Sequence, residues 1–218
     1  MPELSALPQL QPRKVPSQQR SKQRFETILG AAAQYIAAHG SHSLRMSDIA
    51  EQSGISIGSL YQYFPDKTAL IATLVHQFQE QGHRCVQAAL EPVTTEAKLL
   101  EAMRRLTQQY YWLYQENPAL RNIWGSTQAD TQLQALEAQD VQRHAQMLLD
   151  KLSELRPSES AEALQTTALL CMHLLNASVR LAITLPQPNA ASPALPSLLA
   201  QFEEQVLPAV LQSPGHAI

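Results

Sequence analysis

From Arg20 to His39 apolar residues recur at three- and four-residue steps: Ile28, Leu29, Ala32, Tyr35 and Ile36 share one stripe, and Gly40 follows as a stop. That period is helical, and it predicts a first helix over 20–39. A short apolar-polar segment from Met46 to Ser53 ends at Gly54. Another, from Ile57 to Phe64, ends at Pro65, with Asp66 placed to cap the next helix. That helix runs from Asp66 to about Leu90, before Pro92, with Leu70, Leu74 and Phe78 in line and Ile71 and Val75 beside them. Further helices are predicted over about 95–115, 118–125, 130–155, 158–185 and 195–212, punctuated by Pro118, Pro157, Pro186 and Pro208. The expectation is an all-α fold of about nine helices. Within it, Ala161–Leu185 is apolar nearly all round, so it must be covered on several sides, by its own chain or by a partner subunit.

Composition agrees with this picture and adds an asymmetry. Of 218 residues 44% are hydrophobic, enough for a real core, while 7 glycines and few β-branched runs leave little material for hairpins. Residues 1–19 are different: Pro2, Pro8, Pro12 and Pro16 stand among Gln, Ser and basic residues, a composition expected to form an extended or disordered arm. The net charge of −3 hides an excess of six Lys/Arg over two acidic residues in 1–47, against ten over seventeen in 48–218. A polyanion is therefore met by the N-terminal part. Neither a continuous apolar span of roughly 18 residues nor a signal-peptide core is present, so a cytoplasmic protein without membrane contact is expected.

The two short segments and their connection, Met46–Ser53, Gly54-Ile55-Ser56 and Ile57–Phe64, have the helix-turn-helix layout. Ile49, Ala50, Ile55, Leu60 and Phe64 are expected to pack against Ile28, Ala32 and Ile36, Gly54 to supply the left-handed backbone of a sharp turn, and Ser56 to cap the second helix. Its outward face then carries Ile57, Gly58, Ser59, Tyr61, Gln62 and Tyr63. Gln62 suits bidentate pairing with adenine, Ile57 apolar contact with a thymine methyl, and Gly58 close approach to the backbone. The hydroxyls of Tyr61 and Tyr63, and Lys67 at the start of the following helix, suit phosphates.

This pattern, Ile28-Leu29-x-Ala31-Ala32, Gly40, Asp48-Ile49-Ala50, Gly54-Ile55-Ser56-x-Gly58-x-Leu60-Tyr61-x-Tyr63-Phe64-x-x-Lys67-x-x-Leu70, closely resembles the tetracycline-repressor family over about residues 20–75. The resemblance implies a two-domain helical homodimer, DNA contacts from Ser56, Ile57, Ser59, Tyr61, Tyr63 and Lys67, and an effector pocket in the second domain. It divides the chain into an arm at 1–19, a DNA-binding domain at 20–66 and an effector-binding and dimerisation domain at 67–218. It also implies a four-helix dimer interface from the helices at about 158–185 and 195–212, and a palindromic double-stranded operator released by a small molecule. The chain departs from the family just before and at the start of the first short helix, where Leu44 and Arg45 stand in place of hydroxyl residues. Arg45 replaces a phosphate contact by charge. Arg13, Lys14, Arg20, Lys22 and Arg24 suit either DNA or a merely solubilising tail.

Five of twelve aromatics, Tyr110, Tyr111, Trp112, Tyr114 and Trp124, fall within fifteen residues. Polar-tipped rings suit either an ordinary core or a cavity for a hydrophobic, flat or cationic effector. Met103, Leu106, Met147 and Leu148 would complete its walls, and His144 and His173 are candidates for the same pocket. No enzyme is expected. Gly54-Ile55-Ser56-Ile57-Gly58 fits the hydrolase elbow only as a string, since a polar helix rather than a strand precedes it. The seven histidines form no i,i+4 pair with a third ligand in prospect, and Cys85 and Cys171 lack ligand spacing, so neither metal nor cofactor is expected.

Overall fold

A computed structural model of the chain describes residues 10–13, 18–127, 130–185 and 196–212. Lys14, Pro2, Pro8, Pro16, Pro186 and His216 lie outside them. The helices are α1 (Gln19–His39), α2 (Met46–Gln52), α3 (Ile57–Tyr63), α4 (Lys67–Leu90), α5 (Glu96–Glu116), α6 (Pro118–Thr127), α7 (Thr131–Leu155) and α8 (Ala161–Thr184). The last expected helix is seen as α9 (Ser197–Gln201), a π-helical turn (Phe202–Val206) and α10 (Leu207–Leu211) in direct succession. The described residues contain no strand.

These residues form two compact units. The first holds the described residues up to Glu80 together with Glu116–Gln139; the second holds Gln81–Gln115 and the described residues from Asp140 onward. The first unit runs past residue 66. Leu70, Ile71, Ala72 and Leu74 of α4 are buried in one core with Ile28, Ile36, Ile49, Leu60 and Phe64, and Ile123 and Leu133 join them from α6 and α7. That stripe of α4 is the fourth wall of the first unit, so the unit extends past the helix-turn-helix.

Within the first unit α1 packs on α2 and α6, and α2 on α3. Phe25 stacks on Phe64, with ring centroids 5.1 Å apart and planes at 27°. At the end of α1 the Asn122 side chain of α6 donates to the carbonyls of Ile36 (2.9 Å) and Ala37 (3.3 Å). Those are among the last carbonyls of a helix, which need partners beyond its end. Four residues of the expected arm are also part of this unit. Leu10 is fully buried in its core, and the Arg13 N–H donates to the Tyr63 carbonyl at 2.7 Å. A leucine side chain contributes about 2 kcal/mol when buried, and the Arg13 hydrogen bonds and the fixed φ of Pro12 add to it.

In the second unit α8 packs on α9 and α10. Pro208 explains the π-helical turn. A proline ring inside a continuous helix clashes with the carbonyl four residues earlier and donates no N–H, and widening the turn relieves the clash. In π spacing residue 208 would have bonded the carbonyl of residue 203. Arg104 Nε takes that role, donating to the Glu203 carbonyl at 3.3 Å, while Gln108 Nε2 donates to the Glu203 carboxylate at 3.1 Å. Burial nevertheless holds the Glu203 carboxyl above the usual carboxylate range, against the opposing pull of Gln108 and Arg104. In the same unit, burial pushes the Cys171 thiol up to about 12, which keeps it protonated and inert at neutral pH, as expected of a core thiol.

An acid whose pKa is raised by folding binds its proton more tightly in the native state, so its charge weighs against stability once pH rises through that folded value. Glu203→Gln is therefore expected to melt above the wild type near neutral pH. The gap should narrow as pH falls into the carboxylate range, as read by circular dichroism melts from about pH 4 to about pH 8.

Candidate nucleic-acid interface and interior polar cluster

The connection between α2 and α3 is built from main-chain hydrogen bonds. The Gly54 N–H donates to the Glu51 carbonyl (3.0 Å) and the Ile55 N–H to the Ala50 carbonyl (3.0 Å), the paired closure of a Schellman motif. It needs a left-handed residue at position 54, and Gly54 has φ 65°. An L-residue there costs about 1–2 kcal/mol. Ser56 then caps α3, its Oγ accepting from the Ser59 N–H at 3.2 Å. Tyr35 Oη donates to Asp48 Oδ2 at 3.1 Å and ties α2 to α1.

On α3 the inward stripe is Leu60, Tyr63 and Phe64, spaced i, i+3, i+4. Ser56, Ile57, Gly58, Tyr61 and Gln62 are exposed and Ser59 is half-buried, as expected for a reading face. Two large apolar side chains in water stand out there, Ile57 at 44% exposure and Tyr61 at 40%. Arg45 is exposed at the N-cap of α2, and Lys67 is exposed at the start of α4. The helix itself carries no charge; cations flank it.

Tyr63 corrects the expectation of an outward face. It is only 5% exposed, its hydroxyl is 3.1 Å from Ser21 Oγ, and its ring lies 6.2 Å from that of Phe25. At 3.6 residues per turn position 63 falls on the stripe of Leu60, so it cannot also face outward. At the start of α4, Asp66 Oδ1 accepts from the Ala69 N–H at 2.9 Å and caps the helix as expected. At the other end of α3, Arg13 does what the sequence did not announce. Besides its N–H bond to Tyr63, its guanidinium donates to the Tyr61 carbonyl at 3.3 Å, so residues 10–13 close the end of the helix.

The five clustered aromatics are shared between the units. Trp124 belongs to the first and Tyr110, Tyr111, Trp112 and Tyr114 to the second. Tyr111 and Tyr114 are buried, Trp112 is exposed, and Met147 is half-buried. His173 lies on the exposed face of α8 beside Leu174, not in the interior, which corrects its place among the pocket residues. His144 is buried, with Tyr110 Oη 3.4 Å from each of its ring nitrogens. Burial, and after it the neighbouring Asp140, raises the Tyr110 hydroxyl well above its ordinary value. A hollow of about 420 Å³ in this unit is lined by other residues, among them Ala97, Leu100, Pro208 and Leu211.

The sequence reading missed one grouping. His83 of α4 and Asp140 and His144 of α7 come together, with one ligand-type atom from each lying within 4.8 Å of the others. Asp140 and His144 are four apart on one helix, a spacing legible in the sequence, but His83 comes from a helix 57 positions earlier and only the fold supplies it.

Comparison with known proteins places the two regions separately. Residues 28–74 match the family described as bacterial regulatory proteins, tetR family, and residues 97–192 match the tetracyclin repressor-like C-terminal domain. The chain is 31% identical over 84 residues to the HTH-type transcriptional regulator UidR of Escherichia coli K12, a match covering 38% of this chain and 43% of that protein. It thus spans less than half the length of the curated relatives it matches. Salmonella enterica GusR has the same fold, with a TM-score of 0.69 at 21% identity over 88% of this chain and 97% of that one. So does Bacillus subtilis FadR in complex with stearoyl-CoA, at 0.62 and 16% over 86% and 98%.

Since the Tyr63 hydroxyl faces Ser21, Tyr63→Phe is expected to leave affinity for duplex DNA within about twofold of wild type. It should cost about 1 kcal/mol of stability in urea denaturation, the net worth of one hydrogen bond.

Proposed function

The chain belongs to the tetracycline-repressor family, and from that premise we propose that it is a homodimeric, DNA-binding transcriptional repressor released from a palindromic operator by a small-molecule effector. The observation that carries the reading is the face of α3. Exposed Ile57, Tyr61 and Gln62 have no role in the fold, stand at the spacing of a recognition helix, and are flanked by the exposed cations Arg45 and Lys67. Gln62 reads a base, Ile57 a methyl group, Tyr61 a phosphate or sugar, and Gly58 and Ser59 allow close approach. A purely structural helical protein would leave this face without a purpose. A repressor of this kind works in the cytoplasm.

The dimer rests on α8. Leu170, Leu174, Leu181 and Leu185 are exposed and fall on one helical stripe, with Leu170 at 51% and Leu181 at 50%. By length and composition α8 is the one described helix apolar enough to cross a membrane, and a buried dimer interface gives that stripe a partner in water instead. Two-fold symmetry then sets two copies of α3 in successive major grooves, roughly 34–36 Å apart. An effector favouring another conformer of the dimer breaks that match and lowers operator affinity. Tyr110, Tyr111, Tyr114, His144 and Met147 are the side chains proposed to meet it, and the likeness to a FadR that binds stearoyl-CoA supports a ligand with a large apolar part.

Selection of bound sequences from a random duplex pool, at two salt concentrations, is expected to return a palindrome. Enrichment of no sequence at either salt overturns the reading. On the selected site, Tyr61→Ala should weaken binding broadly, Gln62→Ala should relax one base pair by about 1–3 kcal/mol, and Lys67→Ala should lower the salt slope by about one.

Sedimentation at micromolar concentration is expected to give a dimer for the wild type. Leu170→Glu combined with Leu181→Glu should give a folded monomer, and a wild-type monomer would refute the interface.

A further inference from the structure

His83, Asp140 and His144 form a polar grouping inside the second unit, whereas α3 belongs to the first. His83 and His144 are both nearly inaccessible, and Asp140 retains 18% side-chain exposure. Asp140 turns one carboxylate oxygen toward each imidazole, with Oδ1 2.7 Å from His83 Nε2 and Oδ2 3.8 Å from His144 Nδ1. The longer separation is beyond a hydrogen bond. The shorter is an ion-pair distance. The two imidazole rings stand edge to face, with centroids 4.7 Å apart.

Two imidazoles and a carboxylate this close together offer a divalent ion three donor atoms. The ion takes a lone pair from each ring and one from the carboxylate, and zinc-class ions hold such ligands at about 2.0–2.2 Å. Donor atoms that lie within 4.8 Å of one another need only small adjustments to share one. The surroundings are shaped for this cluster. A Cβ at Gly82 would come within 2.9 Å of Tyr110 Oη, so the glycine beside His83 makes room for the hydroxyl that sits against His144. A polar partner to a ligating imidazole is the usual outer support of such a site.

We propose that His83, Asp140 and His144 form a binding site for one divalent transition-metal ion of the zinc class within the second unit. Two imidazoles and one carboxylate favour zinc, cobalt or nickel over magnesium or calcium, which prefer all-oxygen sites. Three protein ligands leave a fourth position for water or another donor, and Asp140 is the ligand open to solvent. The site stands on these side chains alone and does not depend on the DNA-binding reading.

The test uses the full-length chain, stripped with a chelator and titrated with Co²⁺, whose visible d–d bands report imidazole and carboxylate ligation. The expected result is one Co²⁺ per chain with those bands, displaced by Zn²⁺. In Asp140→Asn and His83→Gln, checked for helical content, affinity should fall by more than the roughly 10–100-fold that an outer support is worth, and in Tyr110→Phe by about tenfold. Absence of stoichiometric uptake by the folded wild type overturns the proposal. So does uptake that both ligand variants retain. Should a variant fail to fold, the ring resonances of His83 and His144 in the wild type decide, because Co²⁺ must shift both; if it shifts only other histidines, the proposal fails.

Discussion

The placement of α3 depends on one left-handed residue. Gly54 closes the end of α2, and because Ile55 and Gly54 both return their N–H groups to α2, the chain leaves that helix in a fixed direction and Ser56 can cap α3 at once. From there the burial of Leu60, Tyr63 and Phe64 determines the rotation of α3 about its own axis. Direction comes from the turn and rotation from the stripe. Together they decide which side chains meet solvent, and hence what the helix can read.

The first unit holds this arrangement from both ends. Phe25 stacks on Phe64 at the close of α3, Tyr35 anchors Asp48 of α2, and Asn122 holds the end of α1. Residues 10–13 complete it, with Leu10 filling the core and Arg13 closing the last carbonyls of α3. A helix of seven residues has too little internal hydrogen bonding to persist alone. Its order is borrowed from these neighbours.

Much of the fold was legible because helical period is a local signal. All the expected helices are present within a few residues, and Gly40, Gly54, Ser56 and Asp66 act where their chemistry predicts. What failed was non-local or a matter of weighing one face against another. The Tyr63 hydroxyl suggests an outward side chain, but its position on the stripe decides its place. The proline-rich composition of 1–19 predicts an extended arm, but Leu10 has a core to enter. His173 sits on an apolar helix, but on the side that its own unit leaves open. The grouping of His83 with Asp140 and His144 needed two helices brought together by the fold, which no spacing rule on one helix reveals.

The absence of charge on α3 has a consequence for how such a protein changes over generations. On the proposed reading, charge attraction to any duplex is carried by Arg45 and Lys67, which lie outside the helix, whereas preference among duplexes is carried by Ile57 and Gln62, which lie on it. The two properties are therefore carried by different codons. A lineage can exchange one target for another through a substitution on α3 while general affinity for the chromosome is conserved, so descendants pass through intermediates that still bind and are never exposed as inert.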